Sequence, residues 1–261
     1  MRRVLAGLFV AGLLLVPAAA ADPPSPGVTH VEVPPGTAAV DWGTQLFGAN
    51  CVTCHGPHGK GIFSPVRGAG DQTGLGPSLS GVGARAADFY LRTGYMPLDD
   101  PHNQPHRSRV LFSDRELAAL VAYVASLQPG PPVPMPHPER GKLAEGQEQF
   151  TEHCAGCHQI VAAGGYVTNA VAPPLDKATP VEIAEAVRIG PYLMPRFSDE
   201  HVSDAQLDSI IRYVTYAKHP DDRGGWALGH LGPVPEGLVT WFIGIALLVA
   251  TCTVVGRRLH S

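Results

Sequence analysis

The chain has 261 residues, 44% of them hydrophobic and 16% charged, with 19 basic against 23 acidic side chains. That composition excludes intrinsic disorder, and the net charge of −4 argues against a nucleic-acid binder. The length suits two small domains.

Residues 1–21 carry Arg2 and Arg3, an apolar run from Val4 to Val16, Pro17, and then four alanines ending at Ala21. This pattern is a secretory leader or a retained N-terminal anchor, and either one takes the bulk of the chain across a membrane.

Residues 38–128 form the first predicted domain. Gly43, Phe47 and Cys51 recur every four residues, the spacing of one helix face. They lead into Cys51-Val52-Thr53-Cys54-His55. CxxCH reads as covalent haem c attachment: cysteines one helical turn apart form thioethers with the two vinyl groups, and the following histidine points at the iron. A zinc site or a redox-active disulfide is possible on ligand type. Structural zinc, however, does not need a histidine directly after each second cysteine, and a thioredoxin-like site needs βαβ surroundings. Further along stand Gly76-Pro77, then Met96-Pro97, then a helix opened by Ser113 with Glu116 three residues on, a capping-box pattern. The loop 98–111, with His102, His106, Arg107 and Arg109, has no counterpart later in the chain. It is a partner-facing insertion or a plain surface loop.

Residues 129–140 are a proline-rich linker, predicted to be extended and semi-rigid. Residues 141–218, the second predicted domain, repeat the first: Gly146, Phe150, Cys154-Ala155-Gly156-Cys157-His158, Pro173, Met194-Pro195, and a helix opened by Ser203 with Gln206. Each half is read as a leading helix, haem motif, glycine-rich loop, short helix, methionine loop and closing helix. A six-coordinate haem needs a second axial ligand opposite the histidine. Met96 and Met194 occupy equivalent places in the repeat, and the proline after each favours an extended methionine backbone. The predicted axial pairs are His55 with Met96 and His158 with Met194. Bis-histidine ligation through His58, His102, His106 or His153 is a minor alternative, since none has a repeat partner. The carbonyls of Pro77 and Pro173 are candidates to accept the other ring proton of each axial histidine. The predicted cofactors are thus two covalently bound haem c groups. With both axial positions filled, no substrate site remains, so no catalytic residue is assigned and single-electron transfer is expected.

Residues 219–237 lead into 238–256. Leu238 to Val255 contains no charged residue and is followed by Arg257 and Arg258. About 18 residues at 1.5 Å each cover roughly 27 Å, enough to span a bilayer core. The arginines place the C-terminus in the cytoplasm and the preceding domains on the extracytoplasmic side. The predicted fold is therefore all-α, two tandem domains plus a C-terminal transmembrane helix.

The residues assembled in each half resemble the class I cytochrome c domain. The order of leader, two CxxCH domains and anchor, together with the stretch Gly224 to Gly237, resembles the dihaem cytochrome c subunit of the actinobacterial cytochrome bcc complex, a quinol–cytochrome c reductase. The resemblance implies an electron-transfer subunit of a membrane-bound reductase. Its partners would be a cytochrome b subunit that oxidises menaquinol, a Rieske iron–sulfur subunit that donates the electron, and an aa3-type cytochrome c oxidase that receives it. It also implies the same axial pairs and the same roles for Pro77 and Pro173. Other readings are a membrane-anchored dihaem carrier for different partners, or a dihaem oxidoreductase such as a thiosulfate dehydrogenase.

Overall fold

Helical periodicity and three capping boxes define most elements of the computed structural model, which describes residues 27–62, 76–98, 103–220 and 233–259. The leader 1–21, His102 and most of the juxtamembrane segment before residue 233 lie outside the described residues. The first half contains α1 (Ala39–Asn50), the motif turn α2 (Val52–His55), α3 (Gly83–Arg92) and α4 (Asp114–Leu127). The second contains α5 (Leu143–His153), α6 (Ala155–His158), a two-stranded antiparallel hairpin of β1 (Gly165–Val167) and β2 (Ala170–Ala172), then α7 (Pro180–Ile189) and α8 (Asp204–Lys218). The hairpin, absent from the sequence expectation, is the only sheet among the described residues.

Ser113 and Ser203 accept from the amides of Glu116 and Gln206, whose side chains reach back to the serine amides at 2.9 Å in both cases. The boxes fix where α4 and α8 begin, and so which faces they turn toward α1 and α5. Gly43 lies directly on the carbonyl of Ala119, and Gly146 on that of Ser209, so neither site has room for a Cβ. One turn along each helix, Phe47 meets Tyr123 with ring centroids 4.9 Å apart and Phe150 meets Tyr213 at 5.3 Å. The small residue brings the helices together and the aromatic fills the space beside the contact. Around these pairs lie two cores, one including Leu46, Leu117 and Leu120, the other Ile183, Ile210 and Val214.

The linker is extended, and both of its ends are bonded. The Arg85 amide donates to the Pro131 carbonyl at 3.1 Å, and the His137 amide donates to Asp208 Oδ1 at 2.6 Å. The halves also meet directly where α3 packs on α7. The insertion 98–111 supplies two further contacts. Gln104 both donates to the Val171 carbonyl (2.7 Å) and accepts from the Val171 amide (2.8 Å), and Arg107 donates to Glu182 at 2.8 Å. For these two residues, the surface faced is the chain's own second half. His106 and Arg109 are exposed.

The final helix, α9 (Pro233–Leu259), contains Gly237–Leu259, 23 residues of mean hydropathy 2.4, long and apolar enough to cross a membrane. Among the described residues its apolar side chains are exposed, Trp241 at 71% and Leu247 at 64%.

Candidate haem sites

Each CxxCH motif forms a single helical turn behind its leading helix, and this turn presents one sulfur inward and one outward. Cys51 and Cys154 are half-buried, Cys54 and Cys157 exposed, and all four are unpaired thiols. Burial, then the neighbouring Cys54, pushes the Cys51 thiol up to about 12; burial and Cys157 push Cys154 up to about 11. At neutral pH these inner sulfurs are therefore thiols in the metal-free chain. Among the described residues, no three His, Cys, Asp or Glu side chains gather at metal-ligand spacing.

Each motif histidine sets one ring nitrogen against a proline carbonyl. His55 Nδ1 lies 2.8 Å from the Pro77 carbonyl, and His158 Nδ1 lies 3.0 Å from that of Pro173. A carbonyl can only accept, so Nδ1 carries the proton and Nε2 keeps its lone pair for a metal. Burial lowers the His158 pKa, against the raising effect of the Pro173 hydrogen bond, and so favours the neutral ring.

The device that brings each proline carbonyl within reach was not anticipated. Gly61 and Gly164 each stand six residues after the motif histidine, with φ of +79° and +75°. Their amides donate to the carbonyls of His55 (2.7 Å) and His158 (3.0 Å), closing the same loop twice. A Cβ on Gly61 would sit 2.5 Å from the Ser78 amide nitrogen, and one on Gly164 2.5 Å from the Ala172 carbonyl oxygen. Only glycine combines that backbone with that approach. Gly76 adds a second constraint in the first half, where a Cβ would lie 2.7 Å from His55 Nδ1.

In the second half, Cys154, Cys157, His158 and Met194 line one cleft, whose apolar walls include Phe150, Leu175, Ile183 and Val187. A pair of thiols, an imidazole with free Nε2 and a thioether around an apolar slot fit a covalently attached haem. His153 lines the same cleft but packs against Phe197, with centroids 5.9 Å apart. Met194 follows a turn closed by its own amide donating to the Pro191 carbonyl at 3.0 Å, which takes up the two residues that this half has in excess of the first. The loop is held from beneath by Arg188, which donates to the Val202 carbonyl at 2.7 Å and pairs with Asp199 and Asp204. In the first half, Met96 is fixed by its amide donating to the Tyr90 carbonyl at 2.9 Å, and it lies half-buried.

Two family models match the chain: cytochrome c over residues 40–128, and cytochrome c oxidase, cbb3-type, subunit III over residues 141–214. The chain is 34% identical over 239 residues to the cytochrome bc1 complex cytochrome c subunit of Corynebacterium diphtheriae, covering 85% of this chain and 82% of that one. It is 34% identical over 271 residues to the protein of the same description in Mycobacterium tuberculosis, covering 99% and 92%. A cbb3-type cytochrome c oxidase subunit CcoP from an Azospirillum species is 30% identical over 197 residues, 67% of this chain and 61% of that one.

Proposed function

Because the chain belongs to the family of cytochrome bc1 complex cytochrome c subunits, we propose that it carries electrons within such a complex through two covalently bound haem c groups. Cys51 with Cys54, and Cys154 with Cys157, tether the groups through thioethers. His55 and His158 through Nε2, and Met96 and Met194 through sulfur, would hold the two irons. The Pro77 and Pro173 carbonyls hold each imidazole in one tautomer and one orientation. Haem bound there supplies reversible one-electron chemistry, at a potential raised by methionine ligation. A haem held by a histidine and a methionine on its two sides would have no position left for a substrate at the iron.

The immediate donor in this reading is a Rieske iron–sulfur subunit, supplied by a cytochrome b that oxidises quinol, and the acceptor is an aa3-type oxidase. The α9 helix anchors the chain in the membrane, with Arg257 and Arg258 on the cytoplasmic side and the haem domains on the other.

The convergence of Cys154, Cys157, His158 and Met194 on one apolar cleft carries the haem reading. Purification of the chain in mild detergent tests the complex: cytochrome b and Rieske subunits should co-purify with it. Recovery alone, or with an oxidase that lacks both, would sink the reductase assignment. The second outcome has an observation in its favour, the match of residues 141–214 to an oxidase subunit model.

A further inference from the structure

The cleft of the second half is not built by that half alone. Phe89, Thr93, Tyr95, Gln104, Pro105 and Arg107, all from the first half, line it together with His158 and Met194. We propose that the second haem site is completed across the domain boundary, with Tyr95 and the strap Gln104–Arg107 forming a wall against which the second haem lies. This rests on the assignment of Met96 and Met194 as axial ligands.

Three observations carry it. The strap is clamped at both ends. Gln104 treats Val171 as one strand treats another, giving and taking one hydrogen bond at the edge of β2. Arg107 donates to Glu182, a carboxylate with 4% exposure that also caps α7, and Pro105 between them is buried. Second, the strap belongs to the insertion that the second half lacks. The second half makes its motif loop and methionine loop without an equivalent; in the first half Ser108 ties the insertion back to Thr93 and Gly94, while Gln104 and Arg107 before it reach the neighbouring cleft. Third, Tyr95 is peptide-bonded to Met96 and packs edge-on against Phe89, with centroids 5.6 Å apart. The residue beside one axial ligand is thereby part of the wall of the other site. Tyr95 undergoes no chemistry in this reading; its place in the wall joins the two sites.

The test uses the full-length holoprotein. Gln104→Ala removes both hydrogen bonds to Val171, and Gln104→Glu keeps only the acceptor. A redox titration followed optically is resolved into two components, which Met96→Leu and Met194→Leu assign. Gln104→Ala should raise exchange of the Val171 amide about tenfold, the equivalent of one lost hydrogen bond, and Gln104→Glu by less. Both should move the midpoint of the Met194-dependent component and leave the other in place. Faster exchange at Val171 with both midpoints unmoved, or with both moved equally, overturns the cross-domain wall while leaving the axial assignment standing. If Met194→Leu itself changes neither component, the axial assignment fails and this proposal fails with it.

Discussion

His55 and His158 meet their proline carbonyls at 2.8 and 3.0 Å through loops of the same design, yet the first ring is half-buried and the second buried. The supports around the two methionines differ more. Arg188 has 5% of its side chain exposed and holds two carbonyls and two aspartates around the Met194 loop. Arg92, its counterpart, is 38% exposed and turns back to Asp88 one helical turn away, reaching Asp114 only at 3.5 Å. The shared features are a glycine six residues on, a carbonyl for Nδ1 and a capped closing helix. The features that differ are the side chains around each methionine, which implies that the placement of each histidine is common to both halves and that each site's stability and environment are set locally.

The largest test of that division replaces the two methionines proposed as axial ligands. Met96→Leu and Met194→Leu should each convert one haem from low-spin to high-spin absorbance while leaving it attached, because the thioethers are independent of the sixth ligand. Optical spectra and haem staining of denaturing gels check this. Two unchanged low-spin spectra would remove both methionines from the axial role.

Next in size is the contrast between the arginines. Arg188→Leu leaves buried carbonyls without donors and should cost about 3 kcal/mol of stability. Arg92→Leu breaks an i,i+4 pair whose arginine is half-exposed and whose Asp88 is buried, and should cost less, about 1–2 kcal/mol. Denaturant titration of both variants measures the gap, and equal losses would mean that the Met194 loop does not depend on its buried staple.

How much of this was legible in the chain depends on the range of the signal. CxxCH, the Met-Pro pairs and the serine caps are local patterns, and the two copies of each strengthened the other. Gly61 and Gly164 share a spacing that could have been read, but the proline carbonyls that meet the motif histidines lie 22 and 15 residues beyond them, and the unequal loops hide the equivalence. Strands of three residues, such as β1 and β2, are too short to show an alternating pattern. The docking of Gln104 and Arg107 leaves no periodicity at all, since it depends on how two separately folded halves meet.

That meeting surface holds an unusual acid. Glu185 on α7 is fully buried, and among the described residues neither of its side-chain oxygens has a hydrogen-bond partner. Asp88, Arg92 and Arg85 face it from α3, and Glu182 from its own helix. Burial first, then Asp88 and Glu182, raises its pKa from 4.5 to about 8, against the pull of Arg92 and Arg85. The folded chain therefore keeps a proton that the unfolded chain has already lost. The stability from this group is complete below pH 4.5 and declines as pH rises toward about 8. The decline is at most about 1.4 kcal/mol per pH unit. Glu185→Gln removes the titration, so the variant should match the parent near pH 5 and exceed it near pH 9. Stability curves that stay parallel across this range would show that Glu185 is not the buried acid of the seam.

The smallest expected effect lies directly after the motif histidines, where the halves differ by one residue. Gly56 has φ +70° and ψ +169°, a backbone that glycine adopts freely. Gln159 occupies the same place with φ +59° and ψ +157°, a region nearly closed to residues with a Cβ. The amides of both residues cap their motif turns, donating to the carbonyls of Val52 (2.8 Å) and Ala155 (2.9 Å), so the conformation is imposed by the turn rather than by the side chain. Gln159→Gly should then relieve strain, offset in part by the greater freedom of glycine in the unfolded chain, for a net gain of about 1 kcal/mol. The reciprocal Gly56→Gln should lose at least that much, because a Cβ there would also meet the Gly61 carbonyl oxygen at 2.9 Å. Thermal unfolding of the two variants reads the difference directly. A loss in both would mean that the Gln159 side chain holds the second motif turn in a way the first half does without.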